Sequence, residues 1–584
     1  MADAIVTWLS GPVLHASVQR PFQLYEAVLI GEDQLLAEVI RVDGDQIILQ
    51  VYEDTTGLRP GVEVTGSGAE LSVRLGPRLL GHIYDGLLRP LHKQGDYIKP
   101  GVRDWRSRRH YTFSPTVEPG DRLEGGAVIG TLRCQGACAQ RCLLPPWLGG
   151  EVVEIAAAGD YLEDETLCVL RKTSGETESV SMCHQWPVRR SRPVRARVPI
   201  DDPLFTGQRV IDSLFPLGCG GKAAMPGGFG TGKTVLQETL AKWCDADVIV
   251  YVGCGERGNE MAGVLHEFPE LEDPRSGRPL MERTVIIANT SNMPVAAREA
   301  SIYTAVTVAE YFRDQGLRVA LMADSTSRWA EALREVSGRL GELPGEAGYP
   351  AYLGSRLADF YERAAHVKTL GGGTGSLSII GAVSPPSADF SEPVTIHTKR
   401  YLRCFWALDA ARAQARFYPA IHPLHSYSID VEVLARFWSQ HGNPQWPEQR
   451  RLFLSLLEEQ NRLERMARIV GKDALPARQQ HVLLCAELIN ESFMRQSAYS
   501  TVDRFCSPDK QVAMMKLIAR FIELSGNAAG QGVAVNRVAT MPVMRQLRRM
   551  GEEIGDDALE RFDQLRDRLE IDFTALTGGS GDAA

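Results

Sequence analysis

The sequence contains no apolar run that approaches about 18 residues, the length that a membrane-spanning helix needs. Its first residues, Met-Ala-Asp-Ala-Ile-Val-Thr-Trp-Leu, lack both the positive start and the long apolar stretch of a signal peptide. These two absences argue against an integral membrane protein and against a secreted one. We therefore expect a cytoplasmic chain, and docking onto a membrane complex through partners stays open.

An excess of basic residues is also missing. The chain has 64 Lys and Arg against 73 Asp and Glu, a formal charge of −9, so no overall positive field indicates nucleic acid as the partner. A local basic groove stays open. The stretch 103–110, Arg-Asp-Trp-Arg-Ser-Arg-Arg-His, fits either single-stranded nucleic acid binding or a solvated surface. We favour the solvated surface because the stretch is short.

A disulfide framework is not indicated either, because 11 cysteines, an odd number, are scattered through a long chain. We expect reduced thiols. Cys134, Cys138 and Cys142 recur at a spacing that could bind zinc, but structural zinc sites usually pair their cysteines more closely and need a full tetrahedral set of ligands. Cys183 and His184 lie downstream, and no fourth ligand is obvious. We expect no metal at these cysteines.

The clearest motif that is present is a P-loop. At 584 residues the chain is too long for one core, and about three or four domains are expected. The stretch 225–234 fits the P-loop pattern through Gly227, Gly232, Lys233 and Thr234. The glycines let backbone N–H groups surround a phosphate chain, while the lysine supplies a cation and the threonine a hydroxyl for Mg²⁺. An apolar run precedes the loop and a helical pattern follows it, which predicts phosphates at a helix N-terminus.

Apolar runs and helical patterns alternate between residues 203 and 423, which predicts a parallel sheet covered by helices. Proline in a first turn and Gly316 as a stop predict one of these helices over residues 294–315. The predicted strands are 221–225, 247–252, 283–288, 318–323 and 377–383.

Two acidic clusters follow strands of this predicted sheet. Asp324 ends one strand where a Walker B acid belongs, and it would hold Mg²⁺ through water. Glu256 and Arg257 follow another strand. A carboxylate there can polarise the attacking water, and the guanidinium can meet the γ-phosphate or position the glutamate. Each cluster alone could be a capping acid or a surface ion pair, but beside the P-loop they predict an ATP hydrolase.

The regions on either side have other patterns. Residues 5–73 contain short β-rich runs between Gly and Asp turns, which predicts a small closed barrel. Residues 112–170 are rich in Gly, Val and Pro and predict further β structure. Beyond residue 430, apolar residues recur at spacings of three and four positions, which predicts a helical bundle. The fold class is multidomain α/β.

Motifs throughout the chain resemble those of the catalytic A subunit of V/A-type rotary ATPases. The resemblance implies an N-terminal β-barrel, a β-rich bulge insertion, a RecA-like P-loop domain with a parallel sheet and a C-terminal helical bundle. The implied limits are 1–75 for the barrel, 76–110 for a connection, 111–198 for the bulge, 199–430 for the nucleotide-binding domain and 431–584 for the helical domain. The motifs that carry the resemblance are 50–57, 83–86, 226–234, 253–261, 323–332, 344–352 and 389–394.

The resemblance also implies roles for individual residues. The implied catalytic residues are Lys233, Glu256 and Arg257, and the implied Mg²⁺ ligands are Thr234 and Asp324. Aromatic residues in two further stretches could stack on adenine or could equally belong to the core. The implied nucleotide-binding residues are Gly227, Gly228, Phe229, Gly230, Thr231, Gly232, Lys233, Thr234, Val235, Phe417, Tyr418, Gln496 and Tyr499.

The implied function is ATP hydrolysis or synthesis coupled to H⁺ or Na⁺ transport, with ATP or ADP and Mg²⁺ as cofactors. The implied partners are B subunits in an alternating A₃B₃ ring, the central rotor stalk, the peripheral stalk and, indirectly, a membrane sector that moves ions, without nucleic acid. The chain would then be cytoplasmic and peripheral on the membrane. One rival is a RecA-like hexameric nucleic-acid translocase, which the acidic balance and the bulge oppose. Another is an inactive structural ring subunit, which the intact Lys233, Glu256 and Asp324 oppose.

Overall fold

The computed structural model describes residues 3–91, 100–101, 109–133 and 139–578. Most of the basic stretch 103–110 lies outside these residues, and so do Cys134 and Cys138. Within them the predicted fold class is confirmed, since a β-barrel, a parallel sheet with helices and a helical C-terminal region follow one another along the chain. No helix in these ranges is both long enough and apolar enough to cross a membrane.

The N-terminal strands form a closed barrel in the order β1-β2-β5-β4-β3-β6. Inward positions alternate with half-exposed ones, so that Val28 and Ile30 are fully buried, as expected for strands with one face on a core. Closure leaves no unpaired barrel edge. The strands are β1 (Ala4–Ser10), β2 (Val13–Val18), β3 (Glu26–Ile30), β4 (Leu35–Asp43), β5 (Gln46–Val51) and β6 (Glu63–Glu70).

In the region of the predicted bulge, the described strands form two antiparallel sheets of four strands each, packed around buried residues such as Phe113 and Leu170. Two strands precede it, β7 (Ser72–Leu75) and β8 (Ile83–Tyr84). The strand that follows these two sheets pairs with β7, so the chain returns to the point where it entered them. The bulge strands and that returning strand are β9 (His110–Pro115), β10 (Arg122–Leu123), β11 (Val128–Arg133), β12 (Gln140–Leu143), β13 (Gly150–Ile155), β14 (Gly159–Leu162), β15 (Cys168–Arg171), β16 (Thr177–Val180) and β17 (His184–Pro187).

The central sheet has the main strand order β26-β25-β19-β24-β22-β20-β21-β8, and its inner pairs are parallel. Its strands are buried on both faces, which accounts for their continuous apolar runs. All five predicted strands are present. The strands are β18 (Ala196–Arg197), β19 (Lys222–Pro226), β20 (Val248–Glu256), β21 (Thr284–Thr290), β22 (Arg318–Asp324), β23 (Ala365–Lys368), β24 (Thr374–Val383), β25 (Cys404–Phe405) and β26 (Tyr427–Ser428).

Helices cover both faces of this sheet. The helix predicted over 294–315 is α3, which is buried along nearly its whole length and therefore shows little amphipathic pattern. The helices are α1 (Lys233–Trp243), α2 (Gly258–Glu270), α3 (Val295–Asp314), α4 (Thr326–Arg339), α5 (Leu353–Tyr361), α6 (Pro393–Lys399) and α7 (Ala410–Gln414).

The C-terminal helices share one hydrophobic core with the central sheet and its helices, as Leu236, Trp438 and Phe493 belong to the same cluster. Proline in the first turn begins three of them, and a positive-φ glycine, Gly471, follows the longest. The helices are α8 (Val431–Gln440), α9 (Trp446–Val470), α10 (Ala477–Leu488), α11 (Pro508–Gly530), α12 (Val535–Ala539), α13 (Pro542–Glu553) and α14 (Glu560–Gly578).

A buried polar cluster joins the barrel to the central sheet. Arg189 donates from Nη2 to Glu38 of the barrel at 2.7 Å and to Glu299 of α3 at 3.4 Å. Gln50 Nε2 donates to the same Glu299 at 2.7 Å. Because buried charges are costly unless they are paired, this cluster favours a single placement of the barrel on the sheet.

Candidate functional site

The P-loop joins β19 to α1, and its glycines are required by its geometry. Gly230 and Gly232 have φ of +74° and +81°, in the left-handed region that side chains other than glycine rarely adopt. A Cβ on Gly227 would lie 2.6 Å from Thr231 Oγ1 and 2.8 Å from Leu408 Cβ. The loop is therefore shaped by glycine into a cradle at the N-terminus of α1, the geometry that binds a phosphate chain.

Lys233 lies at the start of α1 and folds back onto the loop. Its Nζ donates to the carbonyl oxygens of Gly227 and Gly228 at 2.8 and 2.9 Å. Burial lowers the pKa of Lys233, and the nearby Asp324 and Glu256 oppose that shift. The ammonium group thus lies inside the cradle, where anionic oxygens could replace the two carbonyls.

Asp324 ends β22 and is paired in register with Gly253 of β20. Its Oδ2 accepts hydrogen bonds from Thr234 Oγ1 and from Tyr251 OH, both at 3.2 Å. Burial raises the pKa of Asp324, and these two hydrogen bonds oppose the shift. A hydroxyl and a carboxylate at hydrogen-bond distance beside a phosphate cradle fit Mg²⁺, which prefers oxygen ligands.

Glu256 ends β20 on the same edge of the sheet. Burial, followed by the charge of Asp324 and by the hydrogen bond and charge of Glu260, raises the pKa of Glu256 from 4.5 to about 8, while Arg328 opposes the shift. A carboxyl with such a pKa is suited to proton transfer near neutral pH. The structure therefore places beside Asp324 a carboxyl that can exchange a proton near neutral pH.

Arg257 follows Glu256 and lies at the mouth of the cradle. Its guanidinium is 5.3 Å from the centre of the Phe229 ring, a cation–π distance. The Phe229 side chain is 83% exposed. The two side chains thus form an exposed rim, whereas Lys233 and Asp324 lie deeper.

The four residues expected near adenine occupy different surroundings. Tyr418 OH lies 2.9 Å from Thr239 Oγ1, and the Tyr418 carbonyl accepts from Gln496 N at 2.7 Å. Gln496 is buried and Tyr499 is 90% exposed. Phe417 contacts Arg412 and lines a cavity of about 500 Å³ between α7 and the helices α9 and α10. The structure therefore brings Tyr418 and Gln496 together and places Phe417 on another cavity.

Four residues near the site were not singled out from the sequence: Tyr251, Thr239, Glu260 and Arg328. The charge of Arg328 acts on both Glu256 and Glu260, and its Nη1 donates to both oxygens of Glu331 at 3.0 and 2.9 Å. Glu260 follows Glu256 by four residues and Arg328 lies in the first turn after the Asp324 strand, so spacing could have indicated both. The sequence carries no comparable signal for Tyr251, because a tyrosine in an apolar strand looks like an ordinary core residue.

We expect the Glu256→Gln substitution to stabilise the nucleotide-free chain at high pH. Because the folded state raises the Glu256 pKa, the stability linked to its proton is present below about pH 4.5 and is lost as pH rises through about 8. Glutamine keeps the neutral form at every pH. The variant should therefore melt about 2 °C above the unmodified chain at about pH 8.5 and almost equally at about pH 5.

Thermal unfolding measured across this pH range checks the expectation. Glu270→Gln, which removes an exposed carboxylate at the end of α2, serves as the control and should show no such trend. A melting difference for Glu256→Gln that stays constant with pH would contradict the raised pKa.

Family profiles match most of the chain. The nucleotide-binding domain of the ATP synthase alpha/beta family matches residues 207–428, and the beta-barrel domain of that family matches residues 6–68. The ATP synthase alpha/beta subunit barrel-sandwich domain matches residues 102–189. The C-terminal domain of V and A type ATP synthase matches residues 435–534.

Full-length relatives and a solved structure agree with these profiles. The A subunit of the A-type ATP synthase of Desulfurococcus sp. (strain SY) is 50% identical over 577 residues, which cover 95% of this chain and 98% of the relative. The V-type ATP synthase alpha chain of Halothermothrix orenii is 49% identical over 578 residues, 98% of each chain. The assembled ATPase EscN of the enteropathogenic E. coli type III secretion system has the same fold, with a TM-score of 0.65, 23% identity and coverage of 88% of this chain and 99% of its own. The chain therefore belongs to the family formed by the A subunits of A-type ATP synthases and the alpha chains of V-type ATP synthases.

Proposed function

We propose that this chain is the catalytic nucleotide-binding subunit of a V/A-type rotary ATPase or ATP synthase, which hydrolyses or makes ATP coupled to H⁺ or Na⁺ transport. The observation that carries the proposal is the convergence of Lys233, Thr234, Asp324 and Glu256 at one edge of the parallel sheet. Relatives named as the A subunit of an A-type ATP synthase and as the alpha chain of a V-type ATP synthase match the chain almost from end to end.

Each site residue has a proposed role. The backbone of the P-loop, residues 227–235, and the Lys233 ammonium bind the phosphates of ATP or ADP. Thr234 and Asp324 hold Mg²⁺, which when bound neutralises negative charge on the phosphates. Glu256 orients and polarises the attacking water, and Arg257 acts on the phosphate side. Tyr418 and Tyr499 face the adenine base, with Phe417 and Gln496 in the adjoining stretches.

The proposed site is completed by a partner. Arg257 lies over Phe229 and Arg328 is paired with Glu331, so both of these arginines already have contacts within the chain. Fast phosphoryl transfer in P-loop enzymes commonly uses a further arginine. We propose that a B subunit supplies it across an interface of an alternating A₃B₃ ring.

The remaining parts of the proposal concern assembly. The ring would work on a central rotor stalk, be held by peripheral stalk subunits and act on a membrane sector through them, without nucleic acid. The chain would be cytoplasmic and peripheral on the membrane. The proposed domain limits are those given above, 1–75, 76–110, 111–198, 199–430 and 431–584.

Binding of Mg-ATP to the full chain tests the nucleotide site. We expect Lys233→Ala to weaken Mg-ATP affinity by about tenfold or more, because it removes the cation inside the cradle. Lys242→Ala, on the same helix but in its last turn, is the matched control and should bind normally. Equal affinity in all three proteins would contradict the assignment of the P-loop.

A further inference from the structure

Arg209 lies just before a π-helical turn, 210–214, where the nucleotide-binding domain meets the C-terminal helices. Its side chain is 1% exposed. The guanidinium is paired with the Asp503 carboxylate and donates to the carbonyl oxygens of Phe493 at 3.0 Å and Arg495 at 2.6 Å. All three guanidinium nitrogens therefore contact one segment of the C-terminal domain, residues 493–503.

The neighbours of Arg209 contact the same segment. Arg209 N donates to Gln496 Oε1, and Gln496 Nε2 donates to the Gly207 carbonyl, both at 2.8 Å. Gln208 Nε2 donates to the Arg504 carbonyl at 3.1 Å. We call Gly207, Gln208 and Arg209 the 207–209 clamp. It fixes the segment at both ends, through 493–496 and through 503–504.

Tyr499 lies between these two anchored ends, and its side chain is 90% exposed. The clamp also reaches Tyr418, because the Gln496 backbone N–H donates to the Tyr418 carbonyl at 2.7 Å. Thr239 Oγ1 donates to the Val235 carbonyl, so the Tyr418 hydroxyl donates to Thr239 at 2.9 Å. With both polar ends of Tyr418 engaged, its ring face is what it can offer a ligand.

We propose that Arg209 is a positioning residue for the nucleobase, acting through Gln496 and Asp503 to hold Tyr418 and Tyr499 where they contact the base. This inference rests on the proposed function, which places those tyrosines beside adenine. Without the clamp, the segment would have to be ordered each time a nucleotide bound, and that ordering reduces affinity. Arg209 therefore affects the base and not the phosphates, whose contacts come from Lys233 and the P-loop.

Affinities of the full chain for Mg-ATP and for inorganic tripolyphosphate with Mg²⁺ separate these two contributions. Arg209→Lys keeps the charge but loses the planar guanidinium fork. We expect its Kd for Mg-ATP to rise about tenfold, while its Kd for tripolyphosphate changes by less than about twofold. Asp503→Asn, which keeps the shape of the partner, should change the two affinities in the same pattern but by a smaller factor.

Arg283→Lys is the matched control. Arg283 is equally buried, and its guanidinium donates to the Ala246 and Lys242 carbonyls at 2.9 and 3.1 Å, at the opposite edge of the sheet from the P-loop. This variant should melt at a lower temperature with both affinities unchanged.

Two results would overturn the inference while leaving the proposed function intact. The first is unchanged Mg-ATP affinity in Arg209→Lys and Asp503→Asn despite lower melting temperatures. The second is an equal loss of affinity for Mg-ATP and for tripolyphosphate in these variants. Failure of the proposed function has a different signature, because the unmodified chain would then bind neither ligand, and the inference would fall with it.

Discussion

Replacing Glu256 with glutamine should lower ATP turnover by about a hundredfold or more while Mg-ATP affinity stays within about a few-fold. Glutamine has nearly the same shape but cannot accept a proton from the attacking water. The substitution leaves Lys233, the proposed phosphate ligand, and Thr234 and Asp324, the proposed Mg²⁺ ligands, unchanged. The loss therefore falls on the chemical step and not on binding.

Turnover and nucleotide affinity should be measured on the same purified complex, so that assembly defects are separated from chemistry. Glu270→Gln provides a control carboxylate at the far end of α2. Near-normal turnover in Glu256→Gln would remove this residue from its catalytic role.

The isolated chain should hydrolyse ATP slowly and gain about a thousandfold in rate when the proposed B subunit is added, because an arginine supplied in trans is worth about 10³–10⁵ in rate. The proposed roles of this chain's residues provide a phosphate cradle, Mg²⁺ ligands and a carboxyl that polarises water. Arg257, adjacent to Glu256, lies over Phe229 of the chain's own P-loop, so we do not expect it to reach across an interface. The missing positive charge should therefore come from a partner.

ATPase assays of the chain alone, with the B subunit, and with poly-RNA or single-stranded DNA decide between the alternatives. The formal charge of −9 gives a polynucleotide no overall attraction, so we expect no stimulation by it. Strong stimulation by the polynucleotide and none by the B subunit would favour a translocase and refute the rotary assignment.

Much of the fold was predictable because its inner strands are apolar on both faces. The strand predicted at 318–323 is β22, at Arg318–Asp324. The short strands β8, β25 and β26 were not predicted, since two residues each provide no periodic pattern. Their pairing depends on tertiary contacts, and the local periodicity of apolar residues carries no information about such contacts.

The phosphate side of the site was also predictable, because a P-loop places its residues by local geometry. The proposed adenine side is harder to predict, since it would combine two stretches about 80 residues apart in sequence, 417–418 and 496–499. The side-chain amide of Gln496 accepts from Arg209 N through its oxygen and donates to the Gly207 carbonyl through its nitrogen, and no motif indicates these contacts. Tyr251 was missed for a related reason, as its hydroxyl contact with Asp324 depends on the register of β20 and β22.

The pairing of the strand β8 has a consequence for how the chain folds during its synthesis. Its pairing joins Ile83 to Ile286 of β21, so at about 5–20 residues per second the ribosome needs roughly 10–40 s to deliver the partner strand. The barrel is complete before β8 emerges, and the bulge is made from pairings within residues 110–180, so both can fold during translation. An unpaired strand edge invites pairing with other chains. With only two residues, β8 offers little for a neighbouring nascent chain to pair with while it waits.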